Sequence, residues 1–259
     1  MRHLKVLTPT DIEQFIEEGY VVLREAFPAS VAKAVRETLW PKLGVSPDDP
    51  SQWKKRVIHI QEGFLGEPFT GALTQRVWDG YDDVVGEGRY NNLQPALGWW
   101  PVAFPGFDAP PWTPPQTGWH VDGIHFHHHV YSKTQGLLPI YLFSDIGPGD
   151  GGTAVDVGSH LRTAKILADA EPAGLSPQEL TAKVNATPPV KPVEMTGRAG
   201  DVVLLHPFML HARSANTGKS VRFICNPCLD LKEDMNLQRA DSADYSPVEL
   251  AIVKGMKGS

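Results

Sequence analysis

Two histidines and one aspartate are the residues of this chain best suited to metal chemistry. His120 and Asp122 are separated by one residue, and His211 ends an apolar run that begins at Asp201. Two imidazoles and one carboxylate can hold Fe(II) on one face and leave the opposite face open for oxygen and a cosubstrate. The residue types therefore point to a non-haem iron site.

A His-x-Asp motif is common by chance, so its context carries the argument. Gly118 and the pair at 114–115 break the chain just before Trp119, and a strand that begins there would project residues 120 and 122 to one face. The third ligand should come from another strand. The run 201–211 is long and apolar, as expected of a buried strand.

His206 is the obvious rival to His211 as third ligand. We predict that both lie in one strand, where residues five apart face opposite ways. Only His211 stands at the distance from Arg222 that the family resemblance given below implies. We therefore assign His206 a structural role.

Arg222 is the candidate for holding a cosubstrate. The polar turn 214–219 separates it from His211, and residues 221–225 are typical of the next strand. Whether the two strands pair directly or belong to facing sheets, both side chains can point inward. A buried guanidinium needs an anion and matches a carboxylate with two hydrogen bonds, so we expect it to bind the distal carboxylate of a dicarboxylate.

Taken in order, these residues resemble the phytanoyl-CoA dioxygenase family of Fe(II)- and 2-oxoglutarate-dependent oxygenases. The resemblance rests on the four residues above, on Gly152-Thr153 and 158–160 between them, and on segments 7–24 and 246–249. It covers nearly the whole chain, and the order and spacing of the pieces make it specific.

The resemblance implies a mainly β fold with flanking helices, namely a double-stranded β-helix or cupin-like jelly-roll barrel with the metal at its mouth. We expect one domain over 1–259, with helical support over about 8–86 and a barrel core over about 90–230. Residues 159–192 form an insertion that is either a lid or a surface decoration. Capping signals predict helix starts at Thr8 and Ser176, and periodicity predicts a helix from Thr70 to about Val85.

The resemblance also implies roles for individual residues. The residues that match its iron ligands are His120, Asp122 and His211. Arg222 matches the residue that binds 2-oxoglutarate. Weaker candidates for cosubstrate contact are Thr153, Gln116 and Asn92. Arg213 departs from the family, where a small hydroxyl residue often stands two positions after the distal histidine, and this arginine is a candidate for substrate contact.

Aromatic residues flank the predicted site in sequence and are either core or pocket residues. The pocket candidates, with Arg213, are Trp100, Phe126, Tyr131 and Phe208. They favour an apolar or ring-bearing small molecule as substrate. We interpret the histidine-rich run 125–129 as packing or solvent-facing, with hydrogen bonding to substrate as the alternative.

The amino-acid composition limits the classes of partner that we expect this protein to bind. The 259 residues carry a net charge of −6, from 24 basic and 30 acidic residues. Without a basic stripe, nucleic acid is not an expected partner, and no apolar run approaches a membrane span. The start of the chain lacks a signal-peptide core, so we expect a cytoplasmic protein. No feature of the sequence sets an oligomeric state.

The cofactors implied by the resemblance are Fe(II), 2-oxoglutarate and O2, with 2-oxoglutarate converted to succinate and CO2. Because related halogenating enzymes lack the acidic ligand, Asp122 favours hydroxylation, desaturation or cyclisation, with hydroxylation the leading expectation. Two alternatives stay open. One is a metal enzyme independent of 2-oxoglutarate, in which Arg222 is structural, and the other is a non-catalytic binding protein on the same barrel.

Overall fold

The computed structural model describes residues 3–91 and 96–258. Within them, the α-helices are α1 (Pro9–Glu18), α2 (Ala29–Leu43), α3 (Gln75–Val85), α4 (Ser159–Ala168), α5 (Pro177–Val184) and α6 (Pro247–Met256). The strands are β1 (Tyr20–Leu23), β2 (Val57–Ile60), β3 (Trp100–Ala103), β4 (Leu138–Leu142), β5 (Ala154–Asp156), β6 (Pro192–Glu194), β7 (Val202–Leu205), β8 (His211–Ala212) and β9 (Ile224–Cys225).

The strands of the described residues form three antiparallel sheets. The largest has the order β1-β7-β4-β9, the second has the order β6-β5-β8, and β2 pairs with β3. Alternate residues of β4 and β7, such as Ile140 and Val203, pack with Val155 of β5 in one apolar core. Since successive strand residues face opposite ways, this core lies between the two larger sheets. The arrangement confirms the predicted β fold of jelly-roll type with flanking helices.

The other face of the large sheet is covered by helices. The hydroxyl groups of Tyr81 on α3 and Tyr141 on β4 lie 2.6 Å apart in the core. A Cβ atom at Gly80 would come within 2.9 Å of a Leu23 methyl group on β1, so glycine allows α3 to approach the sheet closely. The helical layer thus supports the sheet that carries β9 and leaves the inter-sheet face for the site.

Local capping explains where the helices begin. Thr8 and Ser176 form capping boxes with the residues three positions later, and both predicted starts are confirmed. The helix predicted from Thr70 begins later. Residues Phe69–Ala72 form a 3-10 turn, and the Thr74 side chain caps α3 by accepting from the Val77 amide.

Two strand predictions near the site are wrong. Residues 201–211 are not one strand but β7, a turn closed by the bond from Met209 N to His206 O, and β8. Pro207 follows His206 and has no N–H to extend the ladder. Residues 120–122 likewise form no strand; only His120 pairs, as an isolated bridge. The histidines at 206 and 211 are therefore separated by a chain reversal rather than by strand alternation.

The insertion 159–192 carries α4 and α5, and α4 packs on α6: a Cβ atom at Gly255 would come within 2.5 Å of the Leu161 carbonyl oxygen. Asp156 connects both ends of the insertion to β5. Its carboxylate accepts hydrogen bonds from the amides of Val190 and Lys191, each at 2.8 Å, and from the Arg162 guanidinium at 3.1 Å.

None of the helices in the described ranges combines the length and apolar content needed to cross a bilayer.

Replacing Asp156 with alanine should destabilise the fold. The variant removes a buried carboxylate that accepts from two backbone amides and one guanidinium, so we expect the free energy of unfolding to fall by about 2 kcal/mol. Urea denaturation measures it. Asp169→Ala, which removes only an exposed partner of Lys165, is the control and should change stability by less than about 0.5 kcal/mol. Equal effects of the two variants would contradict the assigned role.

Candidate metal centre

The three predicted ligands are brought together by a single backbone pairing. His120 and His211 exchange two hydrogen bonds, each 2.9 Å from N to O, so their side chains lie on the same side and the ring centroids are 4.4 Å apart. An Oδ1 atom of Asp122 lies 3.4 Å from His120 Nε2 and 3.5 Å from His211 Nε2. Ligand atoms of all three residues lie within 4.8 Å of one another, as a shared metal ion requires.

Both imidazoles are held in one orientation by main-chain carbonyls. His120 Nδ1 donates to Gly118 O at 2.9 Å, and His211 Nδ1 donates to Met209 O at 3.0 Å. Because Nδ1 carries the proton in each ring, the Nε2 lone pairs point to the shared position. Such outer hydrogen bonds are typical of metal-binding histidines.

The charges of the triad support one another. Burial opposes ionisation of Asp122, but the His211 charge and hydrogen bonds from both rings hold the pKa of this carboxyl well below its usual value. Burial also opposes protonation of His120, but the hydrogen bonds to Asp122 and Gly118 raise its pKa overall. The carboxylate and the two imidazoles thus stabilise one another, and a metal ion bound there would displace the protons that the Nε2 atoms share with Asp122.

The main chain at Asp122 is held by a buried pair that the sequence did not identify. Gln135 Nε2 donates to Asp122 O at 3.0 Å, and His128 Nε2 donates to Gly123 O at 2.9 Å. His128 Nδ1 lies 3.1 Å from Gln135 Oε1. A Cβ atom at Gly123, whose φ is +118°, would come within 2.5 Å of the His128 ring, so this contact needs glycine.

The rest of the histidine-rich run contacts the insertion. His127 Nε2 donates to Ala173 O at 2.8 Å, and His129 Nδ1 lies 3.0 Å from a carboxylate oxygen of Glu171. On the other side of the ligands, Asn185 donates to Trp119 O at 3.0 Å. The insertion 159–192 therefore adjoins both ends of the segment that carries His120 and Asp122. Its role as a lid stays a prediction.

Arg222 lies across the inter-sheet space from His211. Val155, opposite His211 in β5, and Ile224, two residues from Arg222, both belong to the inter-sheet core, so His211 and Arg222 face that space. They belong to different sheets, which decides between the two arrangements that the sequence left open.

Arg222 is only 2% exposed, and its guanidinium is incompletely paired. Its NH2 group donates to Pro101 O at 2.8 Å, and its Nε has no hydrogen-bond partner among the described residues. Burial, with a smaller effect of the Arg213 charge, lowers its pKa to about 10, while Glu194 opposes the shift. A buried donor of this kind is costly unless an anion satisfies it, so the residues fit a carboxylate-bearing cosubstrate.

The weaker candidates for cosubstrate contact differ in their position relative to the inter-sheet space. Thr153 directly precedes β5, is half-buried, and lies two residues from Val155, so it shares the face of the inter-sheet core. Gln116 is exposed, and its side-chain amide donates to Pro114 O at 3.2 Å. Asn92 lies outside the described residues.

The pocket candidates separate into two groups. Phe126 lines a small cavity next to Asp122 and Gln135, and Tyr131, which is partly exposed, stacks on His129. Trp100 and Phe208 are wholly buried in the core instead. Trp100 packs on the rings at 64, 69 and 143, and Phe208 packs on His206, so we correct their assignment from pocket to core.

His206 is a buried core residue, as the predicted structural role requires. Its Nδ1 accepts the Phe208 amide at 3.1 Å, and its Nε2 lies 3.3 Å from Val248 O. Burial and the neighbouring His160 hold its pKa well below the usual value, so it stays neutral.

Cys225 and Cys228 are free thiols, and neither belongs to the metal cluster found among the described residues.

Comparison with known sequences identifies the family. The model of the family described as "Phytanoyl-CoA dioxygenase (PhyH)" matches residues 15–224, which is well over half of the chain. This chain belongs to the phytanoyl-CoA dioxygenase family. The resemblance inferred from the sequence is thereby confirmed, and with it the cofactors of the family, which are Fe(II), 2-oxoglutarate and O2. None of the curated proteins compared with the chain matches it.

Solved structures of similar fold agree with this family membership. HygX from Streptomyces hygroscopicus, solved with nickel and 2-oxoglutarate bound, is 17% identical, with 87% of this chain and 88% of that chain covered and a TM-score of 0.51. EctD from S. alaskensis, in its apoform, is 19% identical, with coverage of 90% and 82% and a TM-score of 0.54. SnoN, described as a non-heme alpha ketoglutarate dependent epimerase from nogalamycin biosynthesis, is 16% identical, with coverage of 84% and 79% and a TM-score of 0.54. These likenesses show the shared fold.

Removing the Gln135 side-chain amide should weaken metal binding by loosening the Asp122 main chain. We expect Gln135→Leu to bind Fe(II) about tenfold more weakly, at the low end for residues that support ligands from behind. Anaerobic titration with Fe(II) measures the affinity. Gln238→Leu, at an exposed position, is the matched control. An unchanged Fe(II) affinity in a folded Gln135→Leu protein would show that the hydrogen bond to Asp122 O does not support the ligand.

Proposed function

We propose that this protein hydroxylates an apolar or ring-bearing small molecule as a non-haem Fe(II)- and 2-oxoglutarate-dependent dioxygenase. The observation that carries the proposal is that the cluster of His120, Asp122 and His211 shares the inter-sheet space with a buried, incompletely paired Arg222. A metal-binding triad alone would suit many reactions. The added guanidinium selects a cosubstrate with a carboxylate at its far end.

The triad would hold Fe(II) through two imidazole nitrogens and one carboxylate oxygen. With both Nδ1 atoms donating to carbonyls, each Nε2 is a neutral donor, and Asp122 supplies the negative charge. When bound, Fe(II) supplies the activation of O2 that couples conversion of 2-oxoglutarate to succinate and CO2 with oxidation of the substrate. The chain contributes position and exclusion of water.

Arg222 would fix the far carboxylate of 2-oxoglutarate. Its guanidinium is already oriented by the bond to Pro101 O, and its unpartnered Nε is a donor for that carboxylate. Since this group is buried, the ion pair would form away from water, where it is strongest. Thr153 faces the same inter-sheet space and is our candidate for a further hydroxyl contact. Gln116 is a weaker candidate, because its amide is exposed and bonded locally.

The ligand set and the adjoining aromatic residues support the proposed outcome of the reaction. Asp122 occupies the ligand position that related halogenating enzymes leave without a carboxylate, which favours transfer of hydroxyl to substrate over halogenation. Phe126 lines the cavity beside Asp122, and Tyr131 lies on the adjoining loop, so aromatic surface adjoins the site. This supports a small molecule with apolar or ring character.

Arg222→Met tests the cosubstrate assignment. Methionine keeps much of the buried volume but removes the charge, so we expect 2-oxoglutarate affinity to fall at least about 100-fold, as for loss of one partner of a buried ion pair. Anaerobic calorimetry on the Fe(II)-loaded protein measures it, with Fe(II) affinity expected to be retained. Arg198→Met, at an exposed arginine, serves as control. Normal 2-oxoglutarate binding by Arg222→Met would remove the basis for the proposal.

Asp122→Ala tests the ligand assignment. Loss of the only anionic ligand should abolish retention of stoichiometric iron, because two neutral imidazoles remain. Metal analysis after anaerobic desalting measures the iron content. Asp230→Ala, at an exposed carboxylate near Cys228, is the control and should retain iron. Full iron content in the Asp122→Ala protein would rule out this carboxylate as a ligand.

A further inference from the structure

Arg213 is a cation beside the site and, from the sequence, a candidate for substrate contact. It follows His211 by two residues, so strand alternation carries it toward the same face. Its side chain is exposed, and no ion pair or hydrogen bond engages it within 3–91 and 96–258. Its charge acts on Arg222, whose pKa it helps to lower, and on His59. The groups on which Arg213 acts most clearly are therefore basic rather than acidic.

His59 belongs to the same side of the molecule. It is the antiparallel partner of Pro101 in the β2–β3 sheet, and Pro101 O accepts the Arg222 guanidinium. Ala103, two residues from Pro101, is the bridge partner of Arg222. Directly opposite residues of an antiparallel pair project to one face, so the His59 imidazole shares the face of Arg222. Burial, then the charges of Arg213 and Arg222, lower the pKa of His59. The ring is thus a neutral, solvent-exposed surface beside two arginines.

Trp99 completes this group. Its ring centroid lies 5.4 Å from that of His59 at an interplanar angle of 47°, and the residue is 46% exposed. Its φ of +60° is unusual for a bulky residue and costs on the order of 1–3 kcal/mol. Local strain that presents a large apolar ring to solvent is typical of a binding surface rather than of packing.

We propose that the substrate is a ring-bearing carboxylate, whose ring lies against Trp99 and His59 and whose carboxylate pairs with Arg213. The inference deepens the proposed function and rests on it. Arg222 is committed to the cosubstrate, which leaves Arg213 as the cation available to a second carboxylate. A single planar guanidinium matches a carboxylate in shape and charge. A neutral analogue would cover the guanidinium without satisfying it, so the site discriminates against it.

The test compares acids with their neutral amides. The probes are phenylacetate and indole-3-acetate, each set against the corresponding primary amide, added to anaerobic protein loaded with Fe(II) and 2-oxoglutarate. Tryptophan emission and the visible absorption of the loaded iron report binding. We expect each acid to bind about tenfold more tightly than its amide, which is the discrimination of one charged hydrogen-bonded pair at a partly exposed site.

Two variants assign the preference to the proposed residues. Arg213→Gln should bring the acids to the affinity of the amides while 2-oxoglutarate binding is retained. Trp99→Leu should weaken acid and amide alike, because it removes the ring contact and leaves the charge. Arg198→Gln, the exposed arginine on the β6–β7 connection, is the matched control and should preserve the preference for the acid.

Several results would overturn the proposal. The first is equal affinity for acid and amide, and the second is no binding of either. The third is a preference for the acid that persists in Arg213→Gln, and the fourth is displacement of 2-oxoglutarate by the acids. Loss of 2-oxoglutarate binding in Arg213→Gln would assign this arginine to the cosubstrate instead. If the wild-type protein bound no 2-oxoglutarate, the proposed function would fail by itself. Tryptophan emission in the Fe(II)-loaded protein would then still show whether the acid preference depends on Arg213.

Discussion

The backbone pairing of His120 with His211 is the contact on which the rest of the site depends. Two hydrogen bonds of 2.9 Å set two residues, 91 positions apart in the chain, directly opposite each other. No long strand is needed, because an isolated bridge already places both rings on one side. The carbonyls of Gly118 and Met209 then orient the rings, so that two lone pairs and the Asp122 carboxylate converge.

A second constraint is the buried charge opposite this bridge. Arg222 has lost water without gaining a full set of acceptors, and a buried unsatisfied donor of this kind costs about 1–3 kcal/mol. The helical layer that packs on the large sheet stabilises the strands that hold it. This cost is offset when an anion binds. The same buried arginine therefore lowers the stability of the protein on its own and favours the binding of a dicarboxylate. Such a local conflict between stability and function is common at functional sites of proteins.

The sequence predicted those features that local chemistry determines. Thr8 and Ser176 are caps with their partners three residues away, and both helices begin there. The ligand triad and Arg222 could be selected by residue type, order and spacing, helped by the resemblance to a family. The single strand predicted over 201–211 was wrong, although Pro207 was a readable signal against it.

Other features depend on contacts between distant segments and left no pattern to read. Gln135 supports Asp122 across thirteen residues, and nothing in its neighbourhood marks an isolated glutamine as structural. His59 is set opposite Pro101 only by the register of β2 with β3. Trp100 is buried whereas Trp99 is exposed and has a positive φ, a difference that two adjacent tryptophans do not reveal.

The proposed function depends on the binding of iron and 2-oxoglutarate together at one site. The most direct measurement is an anaerobic optical titration of the wild-type protein, first with Fe(II) and then with 2-oxoglutarate. We expect a visible metal-to-ligand charge-transfer band that appears only when both are present and saturates at one equivalent of 2-oxoglutarate per bound iron. Folded, iron-loaded protein that develops no such band would contradict it and would favour a metal site that works without this cosubstrate.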